Sequence, residues 1–505
     1  MRGEVKVLSL ILLIVQRSFA GVPAPASFYA DQLVDHLGSD AQYKDRRWSQ
    51  RYYLSSDHYM GPGSPIFVIM GGEGAIEPTK GFAYPFVMQM AQNFGAIVLQ
   101  PEHRFYGASQ PITAKEIENE RHAGKPDPRA KLLTAEQALN DAVRLIKLVQ
   151  IRAQCSPARN SSHYCPVITV GGSYPGFLSA MARFRFPDVI DMSYAASAPM
   201  YFYAQQVQQN AYYEHISKIA EEAFPGCSLA VRDVLSYFVS FVEDSPSIEA
   251  EKIGVCKGTM PSYIKTKNDF VNEVVMMVGY TFANYNMAFY PPTRYTALAA
   301  ACYTFADPRS DHLDRLRSFL VQALGGGAAG CFAMSSQLPS GPNATISSGD
   351  WSGVGTGHDG ESWDFQTCSL LVEAIGFSND SMFPYRLWSV DWLDNHCRSR
   401  FGVTPAPKAL VQSWGFDDLV GHNASYIIFT NGLLDGWSVS GIQEDLSDTL
   451  LAYNFPNGAH HSDLSGHFPS QSIDTPDILA GQAQIQLKLA TWIAEIKSQA
   501  QSRSA

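Results

Sequence analysis

The sequence predicts an α/β protein whose sheet is interrupted by a large helical insertion. Short, continuous apolar runs at Pro65–Met70 and Val167–Val170 are typical of buried parallel strands. Between them, Thr134 and Gln137 have the spacing of a capping box at the start of an amphipathic helix. After residue 202 helical patterns dominate, and a strand pattern returns at Tyr426–Thr430. We therefore expect a sheet domain in two parts, 21–202 and 408–505, with the helical insertion at 203–407 between them.

The composition is that of a globular protein with a substantial interior. Of 505 residues, 46% are hydrophobic and 17% are charged, and the chain is longer than one hydrophobic core usually supports. The formal net charge is -11, and the sequence has no cluster of basic residues. Because phosphate binding needs such clusters, the sequence argues against a nucleic-acid partner.

The first residues have the pattern of a secretory signal peptide. Basic Arg2 and Lys6 precede an apolar run at Val7–Val15, and we expect cleavage after Ala20, so that residues 1–20 are removed. The run is too short for a transmembrane helix, and no later stretch could span a bilayer. We expect the mature chain in the secretory pathway, either outside the cell or in a lysosome or vacuole. Glycosylation is then expected at four N-x-[ST] sequons, which begin at Asn160, Asn343, Asn379 and Asn423.

Eight cysteines form an even set that suits an oxidising compartment. Cys155 and Cys165 flank a polar loop that a local disulfide could close, and the other six lie between Cys227 and Cys397. Metal binding is the rival use, but the cysteines include no CxxC pair and no histidine pair at ligand spacing. The sequence therefore predicts disulfides, most of them in the helical insertion, and no metal site.

The segment VGGSYPG resembles the nucleophile elbow of hydrolases, G-x-S-x-G, with Ser173 as the nucleophile. Pro175 replaces the second glycine, which suits the first turn of a helix because proline has no N–H to lose there. The first oxyanion donor is then the backbone N–H of Tyr174. A second donor is expected from Gly72 in the segment MGGEG. The alternative is that both glycine-rich segments are ordinary turns.

A serine hydrolase also needs a base and a carboxylate, which in α/β hydrolases follow the serine in the order Asp or Glu, then His. Asp435 follows the strand pattern YIIFT, and His460 lies in the later segment NGAHHSDL. Each residue has another interpretation, because Asp435 could form an Asx turn and His460 or His461 could be a surface histidine. The order of the three residues favours a catalytic triad, which needs no cofactor, but it does not choose between His460 and His461.

Several longer motifs resemble one known family along almost the whole mature chain. They are PEHRFYG at 101–107, GGSYPG at 171–176, ESWDFQTC at 361–368, FTNGLLDGWSVSGI at 429–442 and GAHHSDL at 458–464. The sequence is similar to the proline-specific serine peptidases that include lysosomal Pro-X carboxypeptidase, dipeptidyl peptidase II and thymus-specific serine protease. The resemblance implies an α/β-hydrolase fold with a disulfide-bonded helical cap inserted between sheet strands, and His460 as the base.

The resemblance also implies disulfide pairings and a substrate pocket. The implied pairs are Cys227 with Cys302, Cys256 with Cys331 and Cys368 with Cys397, which leaves Cys155 with Cys165 as a local pair. Trp437 and Phe177 match positions that line an apolar pocket for proline, although Trp437 could equally be an ordinary core aromatic residue. Asp364 matches an acidic position of the dipeptidyl-peptidase branch and is expected to bind the substrate ammonium, with Glu361 as a second candidate. The alternative for Asp364 is a solvated loop residue.

We therefore expect a secreted or lysosomal serine exopeptidase that cleaves peptides after proline and releases N-terminal X-Pro dipeptides. The alternative is a Pro-X carboxypeptidase, which removes a C-terminal residue after proline. A more distant alternative is a catalytically silent hydrolase-fold binding protein. The expected partners are proline-containing peptides, with no nucleic acid and no membrane span, and a homodimer is compatible with the sequence.

Overall fold

An eight-stranded sheet organises the chain in the computed structural model, which describes residues 26–76, 81–242, 246–338, 357–465 and 473–502. The expected signal peptide at 1–20 and the sequon at Asn343 lie outside these residues. The strands are β1 Ser27–Leu33, β2 Arg47–Ser55, β3 Ile66–Ile69, β4 Ile97–Pro101, β5 Val167–Gly172, β6 Met192–Ala196, β7 Ile427–Gly432 and β8 Leu450–Phe455.

The helices of the described residues lie between the strands and at the chain end. They are α1 Pro85–Phe94, α2 Ala114–His122, α3 Arg129–Leu132, α4 Ala135–Arg152, α5 Tyr174–Arg185, α6 Met200–Tyr203, α7 Ala211–Ala223, α8 Cys227–Phe241, α9 Pro246–Lys252, α10 Lys267–Met287, α11 Ala297–Phe305, α12 His312–Ala323, α13 Gly357–Thr367, α14 Val390–Phe401, α15 Ala409–Trp414 and α16 Pro476–Ser502. Short 3₁₀ helices lie at Met334–Ser336, Phe416–Asp418, Gly436–Ser440 and Ser462–Leu464.

The sheet has the strand order β1-β2-β4-β3-β5-β6-β7-β8, in which β2 is antiparallel to both neighbours and the strands from β4 to β8 run parallel. Side chains alternate between its two faces. In β3, Ile66 and Val68 pack with Leu139 of α4, whereas Phe67 and Ile69 pack on the opposite face with helices α1 and α16. This is the expected α/β-hydrolase architecture, with helices on both faces of the sheet. It places the carboxyl ends of the parallel strands along one edge, where such folds bind ligands.

The long connection from β6 to β7 contributes no strand to the sheet within its described residues. Helices α7 to α12 share a hydrophobic core of their own, which includes Phe282, Phe305 and Phe319. We call the described residues between 211 and 338 the helical cap. Further along the connection, Phe365 and Phe401 pack instead with Trp48 and other residues near the start of the chain. The domain limits at 203 and 407 remain a prediction.

Four disulfides staple the chain, and their pairings are those that the resemblance implies. Cys227–Cys302 and Cys256–Cys331 lie within the helical cap. Cys368–Cys397 joins the end of α13 to α14, and Cys155–Cys165 closes the loop before β5. Among the described residues, no helix combines the length and the hydropathy needed to cross a bilayer. The described sequon asparagines, Asn160, Asn379 and Asn423, are all exposed, and their glycosylation remains a prediction.

Candidate active site

Ser173 lies at a sharp turn between β5 and α5. Its backbone has φ 66° and ψ -134°, a region that residues other than glycine rarely adopt and that costs about 1–3 kcal/mol. The turn is held because the Ser173 N–H donates to the Ala196 carbonyl at 2.9 Å and the Ser173 carbonyl accepts from Phe177 at 3.0 Å. The late glycine of the motif, Gly176, lets α5 approach β6, since a Cβ there would lie 2.5 Å from the Ala196 oxygen. The segment therefore forms a nucleophile elbow, with Pro175 in the first turn of α5 as expected.

Asp435 and His460 are hydrogen-bonded to each other. Asp435 follows β7 and is 1% exposed, and its Oδ2 lies 2.6 Å from His460 Nδ1. Because a carboxylate only accepts hydrogen bonds, this contact places the proton on Nδ1 and leaves Nε2 able to take a proton from a hydroxyl. Asp435 Oδ1 also accepts from the Trp437 N–H at 3.1 Å, so the Asx-turn interpretation is also correct.

His461 has a different environment from His460. Burial and the neighbouring His460 lower the pKa of His461 to about 3, which keeps its ring neutral. Its backbone N–H donates to Ser197 Oγ at 2.9 Å, and its ring packs edge-on against Tyr84. The bond to Asp435 therefore distinguishes His460 as the candidate base, a choice that chain order alone left open.

The last turn of α10, in the helical cap, holds the loops that carry Asp435 and His460. Asn286 is fully buried, and its side chain accepts from the Gly436 N–H at 2.7 Å and donates to the Leu434 carbonyl at 2.8 Å. The neighbouring Met287 carbonyl accepts from the His460 N–H at 3.2 Å. Sequence reasoning missed both residues, because neither belongs to a recognisable motif.

A pocket of about 430 Å³ opens beside Ser173, within the size range of small-ligand sites. Ser173, Tyr174, Gly72, His460 and Trp437 all line it, while Asp435 lies behind His460. The wall is largely apolar and aromatic, and it includes Tyr84, Tyr203, Met287 and Trp363. Trp437 both lines the pocket and packs in the core of the helical cap.

The loop that carries Gly72 lies directly against the elbow. A Cβ at Gly72 would lie 2.5 Å from Pro175 Cγ, so glycine is needed for this approach. On the other side, the N–H of Tyr174, as the first residue of α5, has no acceptor within the helix. These two backbone groups border the pocket where an oxyanion would form.

The Tyr174 side chain is fixed by a buried hydrogen-bond chain. Its hydroxyl accepts from Gln366 Nε2 at 3.0 Å and donates to His103 Nε2 at 3.1 Å, and His103 Nδ1 donates to the Arg104 carbonyl at 2.7 Å. Burial lowers the pKa of His103 to about 4, so its ring is neutral and can accept. The motifs PEHRFYG and ESWDFQTC therefore contribute to the site through His103, Gln366 and Trp363.

Asp364 and Glu361, the predicted ammonium-binding residues, are each paired with an arginine of the chain. Asp364 is 3% exposed, and its carboxylate contacts Arg400 at 2.8 Å and His396 at 3.0 Å on α14. Burial raises its pKa, but the interactions with His396 and Arg400 more than offset that, and the net pKa lies below its usual value. Glu361 contacts Arg129 at 3.1 Å, and neither acid is among the described residues that line the pocket.

Phe177, which the resemblance predicts in the pocket wall, packs in the hydrophobic core of the sheet domain. Phe177 is fully buried, and its ring packs against Tyr203, Trp414 and Phe416 beneath α5. It is not among the described pocket-lining residues. Because Phe177 lies one helical turn after Ser173, its side chain points towards the sheet. Phe177 therefore packs beneath the elbow and supports it.

Comparisons with known proteins identify the family of the chain. The model of the family described as Serine carboxypeptidase S28 matches residues 32–485. Mouse lysosomal Pro-X carboxypeptidase is 28% identical over 492 residues, which cover 94% of this chain and 90% of the relative. Mouse thymus-specific serine protease is 26% identical over 476 residues, which cover 90% and 85% respectively. Because the family model spans most of its length, the chain belongs to the serine carboxypeptidase S28 family and is a serine peptidase.

Proposed function

We propose that the chain is a serine exopeptidase that cleaves after proline and releases N-terminal X-Pro dipeptides. The observation that carries the proposal is the Asp435–His460 hydrogen bond at 2.6 Å beside the elbow at Ser173, with Ser173 and His460 lining one apolar pocket. These groups supply the nucleophile, the base and the carboxylate that acyl transfer requires.

In the proposed mechanism, Ser173 Oγ attacks the carbonyl carbon of the proline residue while His460 Nε2 takes its proton. The oxyanion accepts hydrogen bonds from the Tyr174 N–H and the Gly72 N–H, and Asp435 stabilises the imidazolium. His460 then gives the proton to the leaving amine, which departs and leaves an ester between the dipeptide and Ser173. Water, activated by the same histidine, hydrolyses the ester and restores the serine.

The apolar wall supports proline as the residue before the cleaved bond. Trp437, Met287 and Tyr203 offer flat or flexible apolar surfaces beside Ser173, onto which a pyrrolidine ring can pack. The relatives named Pro-X carboxypeptidase are consistent with this choice.

The charges of the pocket favour binding of the amino end of the peptide over binding of its carboxyl end. Its described lining includes two carboxylates, Glu73 and Glu373, and neither lysine nor arginine. A dipeptidyl peptidase must pair the substrate ammonium with a carboxylate, whereas a carboxypeptidase must offer donors to a terminal carboxylate. The second candidate, a Pro-X carboxypeptidase, is favoured by the names of several relatives.

Two assays test the proposal. A fluorophosphonate probe should label the wild-type chain and should not label Ser173→Ala, and an unlabelled wild type would indicate a silent binding protein. Peptides of the forms X-Pro-dye and blocked-X-Pro-Y, incubated side by side from acidic to neutral pH, separate the two directions. Cleavage of only the blocked peptide would replace the proposed activity by the carboxypeptidase.

We also propose that the chain enters the secretory pathway by way of residues 1–20 and reaches a lysosome or the cell exterior as a glycoprotein. N-terminal sequencing of the exported chain should begin at Gly21, and deglycosylation should lower its apparent mass. Light scattering coupled to size exclusion tests the proposed homodimer, since a monomer mass would exclude it.

A further inference from the structure

Glu73 follows Gly72 in the loop after β3 and lines the same pocket as Ser173 and His460. The residue is half-buried, but its Oε2 is fully covered and has no hydrogen-bond partner among the described residues. A covered carboxylate oxygen without a donor costs about 1–3 kcal/mol or more, so native structures seldom keep one without a use. Glu73 therefore lines the pocket with a carboxylate whose hydrogen bonds are incomplete among the described residues.

The electrostatic surroundings of Glu73 agree with a missing cation. Burial raises the pKa of Glu73, and a hydrogen bond from its own backbone N–H and the neighbouring His460 only partly offset that rise. Glu73 lines the pocket together with the aromatic residues Tyr84, Tyr174 and Tyr203. No lysine or arginine is found among the described lining residues to neutralise it.

The other pocket carboxylate is already engaged. Glu373 is 6% exposed and accepts a hydrogen bond from the Tyr203 hydroxyl. Asp364 and Glu361, the acids that the sequence favoured, are paired with Arg400 and Arg129. Glu373 therefore already has a hydrogen-bond partner on the pocket wall, whereas Glu73 Oε2 has none among the described residues.

We propose that Glu73 binds the N-terminal ammonium of the substrate and thereby sets the length of the released peptide. The inference rests on the proposed function and names the group that recognises its substrate. In an X-Pro peptide the ammonium nitrogen and the attacked carbonyl carbon are five bonds apart, about 6 Å when extended. Glu73 adjoins Gly72, the proposed oxyanion donor. One loop would therefore bind both the substrate ammonium and the oxygen of the attacked carbonyl.

The experiment compares Ala-Pro-dye with propionyl-Pro-dye, which lacks only the amine. Wild type should prefer Ala-Pro-dye, and Glu73→Gln should lower kcat/KM for Ala-Pro-dye by about 10- to 100-fold, the range of a charge-assisted hydrogen bond. The same variant should act on propionyl-Pro-dye as wild type does. Fluorophosphonate titration counts the reactive sites in each preparation, which shows that the variant is folded.

Glu361→Gln is the matched control, because it makes the same chemical change outside the pocket and should keep the wild-type preference. An equal loss of activity on both substrates in Glu73→Gln would overturn the inference, since it would mean that Glu73 only supports the oxyanion loop. A retained preference for the free amine would overturn it as well. If wild type ignores both dipeptide substrates and cleaves only blocked-X-Pro-Y, the proposed function itself has failed, a result distinct from either of these.

Discussion

Replacing Asp364 by asparagine separates the structural role that we describe from the substrate-binding role that the sequence suggested. The variant keeps the shape of the side chain and removes its charge. Arg400 and His396, whose side chains are 11% and 3% exposed, then face a neutral amide. Removing one partner of a buried ion pair costs about 3–5 kcal/mol, because the remaining charge is left uncompensated. Since Arg400 keeps some access to water, we expect a loss of about 3 kcal/mol.

Urea unfolding followed by tryptophan fluorescence measures this loss. With a denaturant slope of about 3 kcal/mol per M, the midpoint should fall by about 1 M. Asp394→Asn is the control, because Asp394 pairs with Arg398 on the same helix but both side chains are substantially exposed. Such surface pairs contribute about 0–1 kcal/mol, so this midpoint should hardly move.

The difference between wild type and Asp364→Asn should also depend on pH. The folded pKa of Asp364 lies below its ordinary value of 3.8, so its stabilisation is complete above that value and is lost as the pH falls through the folded pKa. The two midpoints should therefore converge in strong acid. If Asp364→Asn were as stable as wild type and lost only the preference for a free amine, the structural account would be refuted and Asp364 would be the ammonium site.

Three further predictions concern the support of the site. Asn286→Ala should lower kcat by about 10- to 100-fold with little change in KM, since it frees the loop around Asp435 without touching the pocket, and steady-state kinetics would contradict this if KM rose instead. Phe177→Ala should cost about 3–5 kcal/mol of stability without a selective loss of activity on proline substrates, whereas Trp437→Ala should raise KM for those substrates. Urea midpoints measure the stability of each variant, and a peptide panel measures its substrate preference. Because burial lowers the folded pKa of His461 to about 3, the free energy of unfolding should fall by about 2 kcal/mol for this one group as the pH drops from 6.5 to 5. The fall should be smaller in His461→Asn. If the two proteins had the same pH slope, the folded ring of His461 would already bind a proton.

The sheet and the elbow were predictable because their signals are local. The cap of α4 is one example, where Thr134 Oγ accepts from the Gln137 N–H at 3.3 Å as the capping pattern indicated. The order of Ser173, Asp435 and His460 was equally readable, since each follows a strand of a parallel sheet and such strands end along one edge.

The structure departs from the sequence-based expectations where the position of a side chain depends on partners that are distant in the chain. Asp364 lies next to Trp363, which lines the pocket, but its charge is satisfied by Arg400, 36 positions later in the chain. Nothing in the motif ESWDFQTC reveals that arginine. Asn286 was missed for the same reason, because its partners are backbone groups about 150 residues away, and backbone groups have no sequence signature.

The contacts of Asn286 and Met287 bear on attempts to build chimaeras of this protein. Since the last turn of α10 holds the backbone on both sides of Asp435 and the N–H of His460, the cap cannot be exchanged like an independent lid. A graft of a relative's cap onto this sheet domain would have to carry an asparagine at the position of Asn286 and reproduce the exit of that helix. Otherwise the transplanted cap would leave Asp435 and His460, the candidate triad residues, displaced relative to each other.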